Sequence, residues 1–218
     1  MKFDTIIFDL DGTLVDTIAD LGNAVNHALS LRGYPLHSLE EYRRMVGHGI
    51  RNLNWQALPE TVRDNDQILD EVLLDFLSFY SSHIDIYSTP YKGIHQLLLK
   101  LYSLGISLAV CSNKFQVGTE AIMAKFFPDV EFAAVLGNRE GYPLKPDPAI
   151  IDEILARTSS SRERTVMVGD SNTDIRTAAG AGIHSIAVSW GFRPRAELCD
   201  AELIVDTVDE LEDTLCLK

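Results

Sequence analysis

Short uninterrupted apolar runs recur along the chain, and between them apolar residues return every three or four positions. The runs lie at 5–8 (TIIF), 106–110 (ISLAV), 132–136 (FAAVL), 165–169 (TVMVG) and 185–188 (SIAV). Runs of this length, rich in β-branched residues and without polar alternation, predict strands covered on both faces. The intervening segments read as helices: 93–104, where Leu97, Leu98, Leu101 and Leu104 share a face, then 117–127, 149–156 and 173–181. Strands alternating with helices imply a parallel sheet joined by right-handed crossovers.

The expected core is therefore α/β, a Rossmann-like parallel sheet with helices on both faces. Residues 16–83 break that alternation, offering helical patterns without a good strand. "SLEEYRRMVG" places Ser38 and Glu41 at capping-box spacing, "IRNLNWQAL" follows, and "DQILDEVLLDFLSFYSSH" is a long amphipathic stretch. This predicts an inserted α-helical domain over 16–83, with the core formed by 1–15 and 84–218. The joints are expected near 15–20 and 84–90, where "DIYSTPYKG" collects turn residues. Trp55 and the Leu and Phe stripe over 69–79 are assigned to the interior of the helical domain, and "SSSRER" at 159–164 to a solvated loop.

Charge narrows the class of partner. With 218 residues, 46% of them hydrophobic, and a formal net charge of −13, the chain can bury a substantial core but carries no basic field. Nucleic acid and anionic membranes are thus not expected as main partners. No window approaches the ~20 apolar residues of a membrane span. The first apolar run is too short for a signal peptide and leads straight into carboxylates. Cys111, Cys199 and Cys216 have neither the even count nor the spacing of a disulfide framework. A reducing cytoplasm is the expected compartment, and monomer and homodimer both remain open.

In an open parallel sheet, ligands bind beyond the carboxyl ends of the strands. There the first run delivers Asp9 and Asp11, the second Cys111, Ser112, Asn113 and Lys114, and the fourth Asp170, Ser171 and Asp174. Carboxylates gathered in one crevice call for a cation. Asp9 and Asp170 can supply oxygen ligands to Mg2+, Ser112 can donate to a phosphate oxygen, and Lys145 in "PLKPDPAI" can neutralise phosphate and carboxylate together. Asp9 is then able to attack phosphorus, and Asp11 to protonate the leaving oxygen and later deprotonate water. Plainer readings stand beside these. Asp16 can serve as a helix N-terminal charge, and Ser112 with Asn113, or Thr173 with Asp174, as helix caps. A calcium loop fails because no glutamate closes it, and no Cys or His falls at zinc spacing.

"DLDGTLVDT", "SNK", "KPDP" and "GDSNTD", in that order, resemble the four motifs of the haloacid dehalogenase-like superfamily, specifically its phosphatases with a helical cap inserted after the first motif. The resemblance covers nearly the whole chain. It implies Asp9 as a nucleophile forming an aspartyl-phosphate and Asp11 as general acid/base. Ser112 and Lys145, with Asn113, would hold phosphate. Asp9, Asp170 and the backbone carbonyl of Asp11 would ligate Mg2+, and Asp174 would orient a metal-bound water or Lys145. An acid at position 11 sets the chain apart from the branch that cleaves carbon–halogen bonds.

"VGHGIRNL" is similar to the glycine-containing cap loop of phosphoglycolate phosphatases. Gly47 and Gly49 would let backbone approach a small substrate, and His48 or Arg51 would meet its carboxylate. "KPDP" also resembles those phosphatases more than the β-phosphoglucomutases. The expectation is a Mg2+-dependent phosphomonoester hydrolase for a small phosphorylated metabolite, best 2-phosphoglycolate. A phosphomutase, a phosphatase for sugar phosphates, nucleotides or pyrophosphate, and a catalytically silent binding module are the alternatives.

Overall fold

The computed structural model describes residues 3–216. The chain divides into two compact units, one of Met1–Asp16 with Pro90–Lys218 and one of Thr17–Thr89. The strands are β1 Thr5–Phe8, β2 Val15–Asp16, β3 Thr89–Pro90, β4 Ser107–Phe115, β5 Ala134–Asn138, β6 Thr165–Gly169, β7 His184–Val188 and β8 Leu203–Val205. The helices are α1 Ile18–Ser30, α2 Leu39–Met45, α3 Gly49–Ala57, α4 Asp66–Tyr80, α5 Ile94–Ser103, α6 Gln116–Phe126, α7 Ala149–Thr158, α8 Asn172–Ala181 and α9 Val208–Cys216.

The first unit is built on a six-stranded sheet in the order β5-β4-β1-β6-β7-β8, with β2 and β3 forming a separate pair. Every pairing described within the large sheet is parallel. β1 is central and fully buried, as its lack of polar residues other than Thr5 demands. Ile7 joins Ala109, Leu136 and Met167 on one face, where Ile150, Ile151 and Ile154 of α7 and Ala178 of α8 close over it. Ile6 and Phe8 point to the opposite face and are equally buried. Full burial of each such side chain contributes roughly 1.5–3 kcal/mol, so the central strand is the most firmly held place from which to project a polar group.

Phe8 lies level with Val110 of β4 on one side and with Val168 of β6 on the other. The chain moves from β1 outward to β4 and β5, then returns to β6 on the other side. The crevice beyond β1 is therefore a topological switch point.

β1 and β6 fall where the apolar runs predict and β7 begins one residue early, while β4 and β5 differ more in extent. β4 continues through Phe115, with a register shift between Cys111 and Phe115. β5 begins at Ala134 rather than 132, because pairing starts only where Ala134 comes level with Ala109; Phe132 stays half-buried outside it.

In the second unit α1 packs on α4 and α2, and α3 on α4. Leu21, Val25 and Leu29 of α1 are buried, as are Leu69, Val72, Phe76 and Tyr80 of α4. The capping box at α2 is formed: Ser38 N–H donates to Glu41 Oε2 at 2.8 Å and Glu41 N–H to Ser38 Oγ at 3.3 Å. Hydrogen bonding lowers the Glu41 pKa to about 2, the Ser38 side chain and then its backbone N–H contributing most. The apolar stripe of α4 is interrupted by Leu74, 67% exposed. Trp55 is half-buried rather than interior: its Nε1–H donates to Asp64 at 3.1 Å and the Arg63 guanidinium lies 5.0 Å over its ring, which keeps it at the margin. Residues 84–89 belong with this unit, since buried Asp20 accepts hydrogen bonds from Tyr87 N–H, Ser88 N–H and Ser88 Oγ. Among the described residues, no helix is long and apolar enough to cross a membrane.

Candidate functional site

Asp9 is the first residue past β1. Its N–H continues the ladder to Val168 O at 2.9 Å, and its Oδ1 accepts from Leu10 N–H at 2.7 Å. The chain then turns sharply: Leu14 N–H bonds Leu10 O at 3.0 Å and Gly12 N–H bonds Val15 O at 2.9 Å. Gly12 takes φ +88°, and a Cβ there would run into the Asp170 carboxylate. Gly191 faces Asp170 from elsewhere, again without room for a Cβ. Two glycines thus clear the space this carboxylate occupies.

Asp170 follows β6 in the same way. Its Oδ2 accepts from Phe192 N–H at 2.6 Å, and Thr13 Oγ1 approaches Oδ1 at 3.4 Å. The next helix opens with Ser171, whose N–H and Oγ donate to Asp174 Oδ2 at 3.1 and 2.6 Å. The other Asp174 oxygen accepts from Lys145 Nζ at 2.7 Å. Capping and site-building are therefore joined in one side chain.

Lys145 Nζ also donates to Cys111 O at 2.8 Å and lies 3.0 Å from Asp9 Oδ1. An ammonium has three hydrogens, and these three acceptors account for them. Asn113 secures the root of this lysine, accepting from Lys145 N–H at 2.8 Å and donating to Lys145 O at 3.0 Å. The Lys145–Pro146 peptide bond is cis. Buried Ser112 accepts from Lys114 N–H at 3.2 Å.

Electrostatics follow from this crowding. Burial, then the charge of Asp174, drives the Asp9 pKa well above the ordinary carboxylate range, with Asp170 and Asp11 adding to the rise against Lys145. Asp170 is pushed up to about 7, by burial first and Asp174 second, against the Phe192 N–H bond. Burial disfavours the Lys145 ammonium, yet Asp174 and Asp9 outweigh it and raise its pKa. Burial lifts the Cys111 thiol to about 12, so it is not a thiolate nucleophile at neutral pH.

Asp9, Asp170 and Asp174 each offer a carboxylate oxygen, all within 4.8 Å of one another. Three carboxylates against the one Lys145 ammonium leave a formal excess of two negative charges, the charge a divalent cation neutralises. All donors are hard oxygens, which fits a hard divalent cation. Asp174 meets Lys145 and Ser171 through its two oxygens, and Asp170 meets Thr13 and Phe192 through its own, so either would coordinate an ion through a remaining lone pair.

The fold thus brings together Asp9, Asp11, Ser112, Asn113, Lys145, Asp170 and Asp174 within the α/β unit. Asp16 stands apart in β2, one residue before Thr17, the N-cap of α1. Gly47, His48 and Arg51 belong to the helical unit. Gly47 takes φ +115°, and exposed His48 is the N-cap of α3. Arg51 donates to Asp66 Oδ1 at 3.0 Å and is paired with Asp70. The sequence reading set Lys114 in the crevice but gave it no role: its Nζ lies 3.1 Å from Asp11 Oδ1 and its side chain is 1% exposed. Its place directly after Ser112 and Asn113 was the available signal. Trp190 Nε1–H donates to Thr13 O at 3.2 Å, in the turn that follows Asp9.

A parallel sheet that gathers buried carboxylates and lysines at the carboxyl ends of its strands can hold a divalent cation and an anion together. The family model of the haloacid dehalogenase-like hydrolases matches residues 6–188, and the chain belongs to that family. It is 36% identical over 191 residues to the phosphoglycolate phosphatase of Mesorhizobium japonicum, covering 87% of this chain and 84% of that one. The phosphoglycolate phosphatase of Agrobacterium fabrum is 34% identical over 216 residues, with 97% and 92% covered. A crystal structure from Lactobacillus delbrueckii subsp. bulgaricus superposes with a TM-score of 0.92 over the whole of both chains at 31% identity.

Proposed function

We propose that the protein is a Mg2+-dependent phosphomonoester hydrolase that acts on 2-phosphoglycolate through an aspartyl-phosphate on Asp9. The observation that carries this reading is the Asp9 carboxylate, seated at the switch point, gripped by Lys145 and crowded by Asp170 and Asp174. Similarity to the two phosphoglycolate phosphatases supports the choice of substrate.

In this reading Lys145 and Ser112 bind the phosphoryl oxygens, and Asn113 and Asp174 keep Lys145 in place. Asp9 attacks phosphorus while Asp11 gives its proton to the departing oxygen; Asp11 then takes a proton from the water that releases phosphate. Asp9, Asp170 and the backbone carbonyl of Asp11 would hold Mg2+, which supplies positive charge against the transferring phosphoryl group. The Thr17–Thr89 unit serves as the cap, with Gly47 and His48 the first choices to meet the substrate carboxylate because Arg51 is bound to Asp66 and Asp70. The free cysteines suit a reducing cytoplasm.

The test is phosphate release from a panel of phosphomonoesters led by 2-phosphoglycolate, with Mg2+ and with chelator. Strong metal-dependent preference for 2-phosphoglycolate is expected. Turnover spread evenly over sugar phosphates or nucleotides would discard the substrate, and phosphate passed to a sugar instead of water would make the protein a mutase.

A further inference from the structure

The α/β unit buries two lysines among its carboxylates, and they serve different partners. Lys145 bonds Asp9, Asp174 and Cys111 O. Lys114 Nζ instead donates to Asp11 Oδ1 at 3.1 Å, with Oδ2 at 3.5 Å. This pair is well inside the protein, the Lys114 side chain 1% and the Asp11 side chain 12% exposed.

The root of Lys114 is rigid. Its N–H is tied to Ser112 Oγ at 3.2 Å, its carbonyl accepts from Thr119 Oγ1 at 3.2 Å, and Gly137 packs against that same carbonyl with no room for a Cβ. Asp11 comes to Lys114 from 103 residues away in sequence. It lies in the turn before Gly12, joined to Val15 by one isolated bridge outside the sheet. A fixed, buried cation in contact with a carboxylate constrains where that carboxylate sits, and small errors of position are costly in proton transfer.

We infer that Lys114 is a positioning residue whose ammonium fixes the Asp11 carboxyl group for both proton transfers. The inference rests on the proposed phosphatase reading. In the first step the bond from phosphorus to the bridging oxygen breaks as the Asp9–phosphorus bond forms, and the Asp11 proton goes to the bridging oxygen. In the second the attacking water loses its proton to Asp11 as its oxygen bonds phosphorus and the Asp9–phosphorus bond breaks. Lys114 gains and loses no proton in either step.

The experiment is steady-state kinetics on 2-phosphoglycolate with Mg2+ for wild type, K114M, K114R, D11N and D11N/K114M. K114M is expected to lower kcat about 10- to 100-fold with KM within about threefold, and K114R to recover much of that loss. In the D11N background K114M is expected to change kcat by less than about threefold, because nothing remains to position. If K114M does not fold, D11N against D11N/K114M decides alone, the double variant having lost both charges together. A rise in KM with kcat intact, or a full K114M loss repeated on top of D11N, would overturn the inference while leaving the phosphatase reading in place. A wild-type protein inactive on every phosphomonoester would overturn both.

Discussion

The α/β unit and the helical unit handle their polar residues in opposite ways. Around Asp9 the side chains of Asp170, Asp174, Lys114 and Lys145 are all buried, with Lys145 held by three acceptors and Asp174 by three donors. Around His48 the groups lie at the surface, and Arg51 is held by two carboxylates that are themselves exposed. Parallel topology forces the ends of β1, β4 and β6 into one crevice, so residue type and position in the chain together define a site. Helix packing imposes no such convergence, and exposed charges pair with whatever lies one or two turns away.

The sharpest way to break this contrast is to remove a group at the centre of the braced cluster. Asp9→Asn should reduce phosphate release on the order of ten-thousandfold or more while KM for 2-phosphoglycolate changes little. Near-normal release would move the nucleophile elsewhere and make the braced cluster a structural device. Gly12→Ala should follow closely. Its Cβ would meet the Asp170 carboxylate and its φ of +88° is unfavourable for alanine, so metal affinity measured by calorimetry should fall at least about tenfold.

A second approach alters charge without mutation. Asp170, pushed up to about 7 in the fold from 3.8, binds its proton more tightly folded than unfolded. Its contribution to stability is complete below the unfolded value and is lost as pH rises toward 7. Metal competes with that proton, so the rise in Tm on adding Mg2+, relative to chelator, should grow from pH 5.5 to 7.5. A constant increment across that range would mean that the raised carboxylate and the metal are not linked.

Much of the braced region was legible before any fold was known. The runs TIIF and TVMVG mark β1 and β6 to the residue, because a strand buried on both faces must be continuously apolar and polar residues begin where it ends. β8 was not legible. Leu203–Val205 runs exposed, half-buried, buried at the sheet edge, which is too short and too mixed for a periodicity. Lys114 was read into the crevice beside Ser112 and Asn113 without a role, because its partner Asp11 is distant in sequence. The ion pairs of Arg51 were illegible for the same reason, since Asp66 and Asp70 come close only through the packing of α3 on α4.

The smallest effect belongs to that arginine. Arg51 is half-exposed as a side chain and both carboxylates are more exposed still. Exposed pairs contribute about 0.2–1 kcal/mol, so Arg51→Ala should lower stability to denaturant by less than about 1 kcal/mol. If the pair is its whole purpose, KM for 2-phosphoglycolate should stay within about threefold of wild type, a change of under about 1 kcal/mol in binding. His48→Ala should then raise KM more than Arg51→Ala does, because His48 is exposed and, among the described residues, forms no ion pair that it would have to leave. A tenfold rise in KM for Arg51→Ala would mean that the guanidinium exchanges Asp66 and Asp70 for the substrate carboxylate. Exposed pairing would then be a resting arrangement of a binding group, and the contrast between the two units would be one of timing instead of purpose.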